Sequence, residues 1–161
     1  MKKYKWTIIL VNLVILLFLF NKSIFKKEAL LEEGKLVLLK LAPVDPRSLM
    51  QGDYMRLNYE ITDGVKLDSI TKRGFCVVKF DSINITKKVR FQENVTPLND
   101  DEFLINYTQS DWNINIGAES YFFQEGEGER FENAKYGGVK IDDKGNSLLV
   151  GLYDENLNLI K

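Results

Sequence analysis

The chain has 161 residues, of which 45% are hydrophobic, and this is enough for one domain with a single core. Residues 28–161 contain all 23 acidic residues but only 16 of the 22 basic ones. This net charge of −7 argues against nucleic acid as a partner and against a domain that lies on an anionic membrane surface. The lack of histidine excludes Ser-His-Asp, Cys-His and HExxH chemistry in these residues, and the single cysteine excludes an intramolecular disulfide. No cofactor or metal site is predicted.

The first predicted element is an apolar helix with lysines on both sides. Residues 6–20 (WTIILVNLVILLFLF) carry no charge, and only Thr7 and Asn12 are polar. As a helix, residues 6–21 would span about 24 Å, and the flanking residues extend this toward the ~30 Å hydrocarbon core of a bilayer. Residues 1–27 are therefore predicted to form a short cytoplasmic tail and a single transmembrane anchor.

The residues after Phe20 decide between a retained anchor and a cleaved signal peptide. A signal peptide ends at a small-residue cleavage site, whereas NKSIFKKEALLEEG follows here. This favours a retained anchor over a cleaved signal peptide, and a helix that is apolar on all faces is a poor candidate for the buried helix of a soluble protein. Three lysines lie on each side of the run, so the lysine count of the positive-inside rule is a tie. The short N-terminal tail favours a cytoplasmic N terminus and therefore an extracytoplasmic (periplasmic) domain.

The rest of the chain, residues 28–161, is predicted to be one mainly β domain, an antiparallel barrel or sandwich with one short helix. Residues 54–61 (YMRLNYEI) give a clear strand signal, because apolar and polar side chains alternate. Further strands are predicted at residues 35–42, 74–80, 84–91, 102–107, 112–116, 120–124, 137–141 and 147–153.

Three smaller features complete the predicted domain. Residues 142–146 (DDKGN) are interpreted as a hairpin turn and not as a calcium loop, because the spacing and distal glutamate of an EF-hand are missing. A helix is predicted at residues 127–135, ended by Gly137 and Gly138. Residues 26–33 are expected to continue the anchor helix.

An ordered corner between the first two strands is the most unusual feature of the sequence. The segment Asp45-Pro46-Arg47 ends the first strand, and Gly52-Asp53 turns the chain into the second. Two interpretations stay open: the aspartates cap turns and pair with the arginines, or the corner is a polar binding patch. Its polar residues are Asp45, Arg47, Ser48, Asp53, Tyr54 and Arg56.

Residues 52–59 (GDYMRLNY) match, at every fixed position, the signature of the bacterial GDYXXLXY family, which this chain resembles. Residues 43–47 (PVDPR) resemble the lead-in of that family, residues 121–126 (YFFQEG) its second block, and residues 145–152 (GNSLLVGL) its C-terminal hairpin. The resemblance covers roughly residues 34–153. It implies a small protein anchored in the bacterial inner (cytoplasmic) membrane, and it implies no reaction because the family has no established activity.

We expect a non-enzymatic, membrane-tethered domain that is a subunit or accessory binding partner of a larger bacterial membrane protein. Asn12 supports this expectation, because a polar residue within an apolar helix can hydrogen-bond to a partner helix. A cell-envelope ligand or stress sensor is the alternative. With the second block included, the candidate binding patch comprises Asp45, Arg47, Gly52, Asp53, Tyr54, Arg56, Tyr59, Tyr121 and Glu125.

Two envelope-hydrolase alternatives are weaker. The first is a Ser48–Lys79 dyad, which is vaguely similar to the dyad of type I signal peptidases. The lysine of such a dyad can act as a base only if burial lowers its pKa, and Lys79 is the plausible lysine because its neighbours are apolar. The Ser-Met-x-Pro context of the signal peptidase nucleophile is missing around Ser48. A carboxylate pair such as Asp45 and Asp53 is the other option, with Asp111, Glu119 and Glu125 as further candidates. Cys76, within FCVVKF, is predicted to be a core residue and not a nucleophile.

Overall fold

A computed structural model describes residues 4–42, 54–124 and 126–161. These ranges are mainly β, as predicted, and their sheets form a sandwich-like arrangement that does not close into a barrel. A 3-10 turn lies at Leu67–Ser69. The elements are α1 (Lys5–Glu33), β1 (Lys35–Lys40), β2 (Tyr54–Arg56), β3 (Arg73–Phe80), β4 (Thr86–Gln92), β5 (Phe103–Gln109), β6 (Ile114–Asn115), β7 (Ser120–Phe122), α2 (Gly128–Phe131), β8 (Tyr136–Ile141) and β9 (Ser147–Tyr153).

Helix α1 is long and apolar enough to cross a membrane, and it is the one such helix in the described ranges. Its 29 residues extend about 43 Å. The apolar side chains are exposed, and Leu30 near the C-terminal end is its one buried residue. The helix ends at Gly34, whose N–H donates to the Leu30 carbonyl at 3.0 Å, and β1 begins at the next residue. The predicted continuation of the anchor helix through residues 26–33 is therefore confirmed.

The strands form three antiparallel sheets in the described part of the chain. Their strand orders are β1-β8-β9, β2-β7 and β4-β3-β5-β6. The predicted hairpin turn between β8 and β9 is confirmed: the Asp142 carboxylate accepts the N–H groups of Lys144 and Asn146 at 3.0 and 2.8 Å, and Gly145 has a φ of +80°. A glycine suits this left-handed conformation because it has no Cβ.

One hydrophobic core joins the sheets. Apolar side chains of β1, β3, β5, β8 and β9 meet there, and each buried one stabilises the fold by about 1.5–3 kcal/mol. The alternation predicted for residues 54–61 is confirmed, because Met55, Leu57, Tyr59 and Ile61 are buried and the polar residues between them are exposed. The regular strand is shorter than predicted. It ends at Arg56, and Tyr59 then forms an isolated bridge with Leu41 before the chain turns.

The predicted helix at residues 127–135 was wrong in length and in its end signal. The structure has one helical turn, Gly128–Phe131, and the two glycines lie inside β8. A Cβ at Gly137 would come 2.9 Å from the Tyr59 ring, and one at Gly138 would overlap the Tyr153 ring. These glycines therefore make room for two aromatic rings and do not end a helix.

Candidate binding site

The two sequence blocks that carry the resemblance meet in the two-stranded sheet β2-β7, here called the signature ribbon. Tyr54 pairs with Phe122, and Arg56 pairs with Ser120. Residues directly opposite each other in an antiparallel pair point to the same face of a sheet. The ribbon consequently has one outward face and one inward face.

The outward face carries an exposed aromatic pair. The rings of Tyr54 and Phe122 lie 5.8 Å apart between centroids, a distance at which aromatic rings attract each other. Phe122 is 74% exposed and Tyr54 36%. Arg56 and Ser120 are exposed beside them. An exposed phenylalanine, a tyrosine and an arginine thus lie side by side, and these residue types are enriched in protein-binding surfaces.

The inward face belongs to the core through Met55, and beyond the end of β2 the buried residue Tyr59 continues this side of the signature segment. Its ring packs against Gly137, and its hydroxyl donates to the Ala118 carbonyl. Burial, together with the nearby Glu119 carboxylate, raises the pKa of Tyr59 above its usual value. Leu57 beside it is 1% exposed. Two fixed positions of the signature, Leu57 and Tyr59, therefore hold the fold together.

A tight turn holds β7 in place against the signature segment. The Glu119 carboxylate accepts the N–H of Gly117 at 3.1 Å and also that of Ile116. The N–H of Leu57 donates to the Glu119 carbonyl at 2.7 Å. Glu119, one of the carboxylates considered for hydrolysis, thus binds backbone N–H groups of its own turn.

The predicted patch divides into four groups. Tyr54 and Arg56 lie on the outward face of the ribbon. Tyr121 is half-buried, with its ring edge-on to Phe131 at 5.0 Å, and burial raises its pKa. The placement of Tyr59 in a surface patch was wrong, because its side chain lies in the core. Predicted residues outside the described ranges are Asp45, Arg47, Gly52, Asp53 and Glu125, together with Ser48 of the proposed dyad.

Sequence reasoning missed Phe122 as a member of the patch. It stands within the second block, YFFQEG, where three consecutive aromatic residues hide which of them is exposed. The alternation rule offers the missing signal, since Tyr121 and Phe123 both pack against Phe131 and Phe122 between them must point away.

Two residues considered for catalysis have other environments. Lys79 was the plausible buried lysine for the weaker Ser48–Lys79 alternative, but its side chain is 41% exposed and its ammonium lies 2.7 Å from the Asp101 carboxylate. It points away from the core because its neighbours on β3 occupy the inward positions. Cys76 is a core residue, as predicted, and burial raises the pKa of its thiol to about 12. Among the described residues, no group of three or more acidic or cysteine side chains is placed to hold a metal ion.

A separate cleft of about 1060 Å³ lies between the C-terminal half of α1 and the four-stranded sheet. Lys26 and Lys27 line it from the helix, Arg73 and Glu93 from the sheet, and the β8–β9 turn closes one side. Its walls carry charges of both signs.

Comparison with known proteins assigns the family. The family model described as GDYXXLXY protein matches residues 16–152. The chain belongs to the GDYXXLXY family. The match includes the second half of α1 as well as all nine strands up to the penultimate residue of β9. No curated protein matches the chain. No solved structure matches it either.

Proposed function

We propose that this GDYXXLXY protein is a single-pass protein of the bacterial inner membrane whose extracytoplasmic domain binds a larger membrane protein as an accessory subunit. Its role is binding and not catalysis. The observation that carries the proposal is the exposed pair of Tyr54 and Phe122 on the signature ribbon. Tyrosine and arginine side chains dominate the energetics of protein interfaces, and the ribbon offers both beside a phenylalanine.

The connection between helix and domain supports this role. Only Gly34 separates α1 from β1, and the last turn of the helix packs through Leu30. A domain joined in this way stays close to the bilayer, so a partner within reach is a protein of the same membrane. A flexible tether would instead have allowed the domain to search a larger volume.

One face of α1 offers a second contact for such a partner. Asn12 and Ser23 lie on a shallow stripe of the helix with Leu16 and Leu19 between them. Asn21 donates its amide to the Leu17 carbonyl of its own helix at 2.9 Å. Asn12 is exposed on the helix surface, and in a bilayer its amide would gain from a hydrogen bond to a neighbouring helix.

Site-specific photo-crosslinking in intact membranes tests the proposed partner surface. A photoreactive phenylalanine analogue replaces Phe122 in one protein and Val89 of β4, which is 44% exposed, in the matched control. We expect a discrete adduct with one membrane protein at position 122 and none at position 89. The same protein should co-purify in mild detergent. Purification of the chain alone and as a monomer, or equal adducts at both positions, would contradict the proposal.

The anchoring itself has an independent test. Alkaline extraction should leave the protein in the membrane fraction, and intact-mass analysis should find the apolar helix still attached. Protease added to the outside of spheroplasts should digest the domain. Release by alkali with loss of residues 1–27 would instead identify a cleaved signal peptide, and full protection from protease would reverse the orientation.

A ligand or stress sensor is the second candidate, and the cleft beside α1 favours it. Lys26 and Arg73 on opposite walls provide cationic groups, while Glu93 provides an anionic one. Such walls suit a polar ligand, and the helix wall gives a route from ligand to membrane. A saturable rise in Tm with a small molecule, abolished by Arg73→Ala, would support this role. Binding that is unchanged in that variant would remove the cleft from consideration.

A further inference from the structure

The start of β5 lies level with the C-terminal end of α1. Lys35, the second residue after the helix, places its ammonium 4.2 Å from the ring centroid of Phe103 and 4.4 Å from that of Phe80. These cation–π contacts join the helix end to one end of the four-stranded sheet. From Phe103, β5 then runs away from Lys35 through Asn106 to Gln109.

β5 and the C-terminal half of α1 line the same cleft. At its midpoint, the Asn106 N–H donates to the Gly145 carbonyl in the β8–β9 turn at 2.8 Å. Farther along, Thr108 lines the same cleft as Ser23 and Lys26 of α1. Strand and helix thus line the same cleft, with Phe103 and Thr108 from the strand and Ser23 and Lys26 from the helix.

The two walls have the same length. The six residue steps from Phe103 to Gln109 cover about 20 Å at strand rise. The 13 residue steps from Gly34 back to Asn21 also cover about 20 Å at helical rise. For a strand that runs back along the helix from Lys35, the far end of β5 comes level with Asn21, where the uncharged run of α1 ends. In a bilayer this is the boundary between hydrocarbon and headgroups.

Trp112 projects from the turn that follows β5. The turn is closed by the Ser110 N–H, which donates to the Asn113 carbonyl at 2.8 Å, and Trp112 at its tip is 92% exposed. A tryptophan side chain combines a large apolar ring with an N–H donor, and it concentrates at the headgroup level of membranes for that reason.

We propose that Trp112 inserts into the phospholipid headgroup region of the same bilayer that α1 crosses, as a second membrane contact of the domain. The proposal rests on the anchoring part of the proposed function. It does not depend on anionic lipid, which the net charge of the domain would disfavour, because an indole ring enters a zwitterionic interface as well. Two contacts, α1 and Trp112, hold the domain in one orientation on the bilayer.

Single-tryptophan variants of the full-length protein in phosphatidylcholine vesicles test this contact. Trp6→Phe leaves Trp112 as the reporter, and Trp112→Phe leaves Trp6 as the reporter of the anchor. The matched control is the triple variant Trp6→Phe, Trp112→Phe, Ile83→Trp. Ile83 is 53% exposed and lies in the β3–β4 turn, at the opposite end of the same sheet.

We expect Trp112 emission to shift to the blue on reconstitution, to lose most of its acrylamide quenching, and to be quenched by phosphatidylcholine that carries a shallow spin label. The control at position 83 should stay red-shifted and quenched by acrylamide. If Trp6 is quenched by spin-labelled lipid while Trp112 remains open to acrylamide, this inference is overturned and anchoring stands. If Trp6 also lacks lipid quenching, anchoring fails as well. Equal lipid quenching at positions 112 and 83 would indicate a domain lying flat and would likewise overturn the inference.

Discussion

The inward and outward faces of the signature segment differ in what they do. On the inward face, Leu57 and Tyr59 are each 1% exposed, and Tyr59 hydrogen-bonds to the chain at Ala118. On the outward face, Tyr54 and Arg56 contact solvent and the exposed ring of Phe122 lies beside them. A short motif can therefore alternate between residues that build the core and residues that lie on the surface. A match to the motif alone does not show that each of its residues has a functional role.

Replacement of the buried tyrosine should have the largest effect. Tyr59→Ala removes a ring that fills the space above Gly137, and we expect a loss of about 3–5 kcal/mol in the free energy of unfolding. Urea denaturation of the full-length protein in detergent measures this. Tyr59→Phe keeps the ring and is the matched control, with an expected loss of about 1–2 kcal/mol because the Ala118 carbonyl is left unpaired. Equal stability of the alanine variant and the wild type would refute the core role.

A change on the opposite side of the same contact should cost less. Gly137→Ala places a Cβ 2.9 Å from the Tyr59 ring, and the overpacking should destabilise the protein by about 1–3 kcal/mol. Combining it with Tyr59→Ala should restore part of the loss, because the ring that clashes is gone. Additive losses in the double variant would show that the two residues do not interact.

Two ion pairs of the domain also differ in their exposure to solvent. Arg90 donates to both carboxylate oxygens of Glu102, at 2.8 and 2.9 Å, whereas the pair of Lys79 and Asp101 is open to solvent. The Arg90 guanidinium, helped by the Asn99 N–H, lowers the pKa of Glu102 from 4.5 to about 2. The stabilisation by this lowered pKa is complete above pH 4.5 and is lost as pH falls toward 2.

We therefore expect Glu102→Gln to lower Tm at neutral pH, and the difference from the wild type to shrink as pH falls from 4.5 to about 2. Asp101→Asn, the control in the exposed pair, should change Tm little at any pH. Thermal melts of the three proteins across this pH range measure both effects. A Tm difference for Glu102→Gln that stays constant with pH would contradict the account.

Truncation of the outward aromatic pair should have the smallest effect on stability. Phe122→Ala removes a side chain that is 74% exposed, and its cross-strand contact with Tyr54 contributes less than about 1 kcal/mol. Denaturation midpoints should therefore stay close to the wild type. A loss as large as that of Tyr59→Ala would mean that Phe122 belongs to the core.

The sequence was sufficient where a local pattern decides the outcome. Alternation predicted both faces of residues 54–61, and the apolar run predicted α1. It was insufficient where a distant partner decides. Gly137 resembled a helix stop because nothing local shows that the Tyr59 ring needs its space. Lys79 resembled a buried lysine because its apolar neighbours hide the side to which it points. The pairing of Tyr54 with Phe122, far apart in the chain, has no local signature.

Parallel measurement of stability and partner binding tests the division of the signature most directly. The double variant Tyr54→Ala, Phe122→Ala is compared with Tyr59→Phe for the denaturation midpoint and for co-purification of the membrane partner in mild detergent. The account predicts a near-native midpoint with loss of the partner for the double variant, and a lowered midpoint with the partner retained for Tyr59→Phe. Partner binding that survives the loss of both outward rings would contradict it.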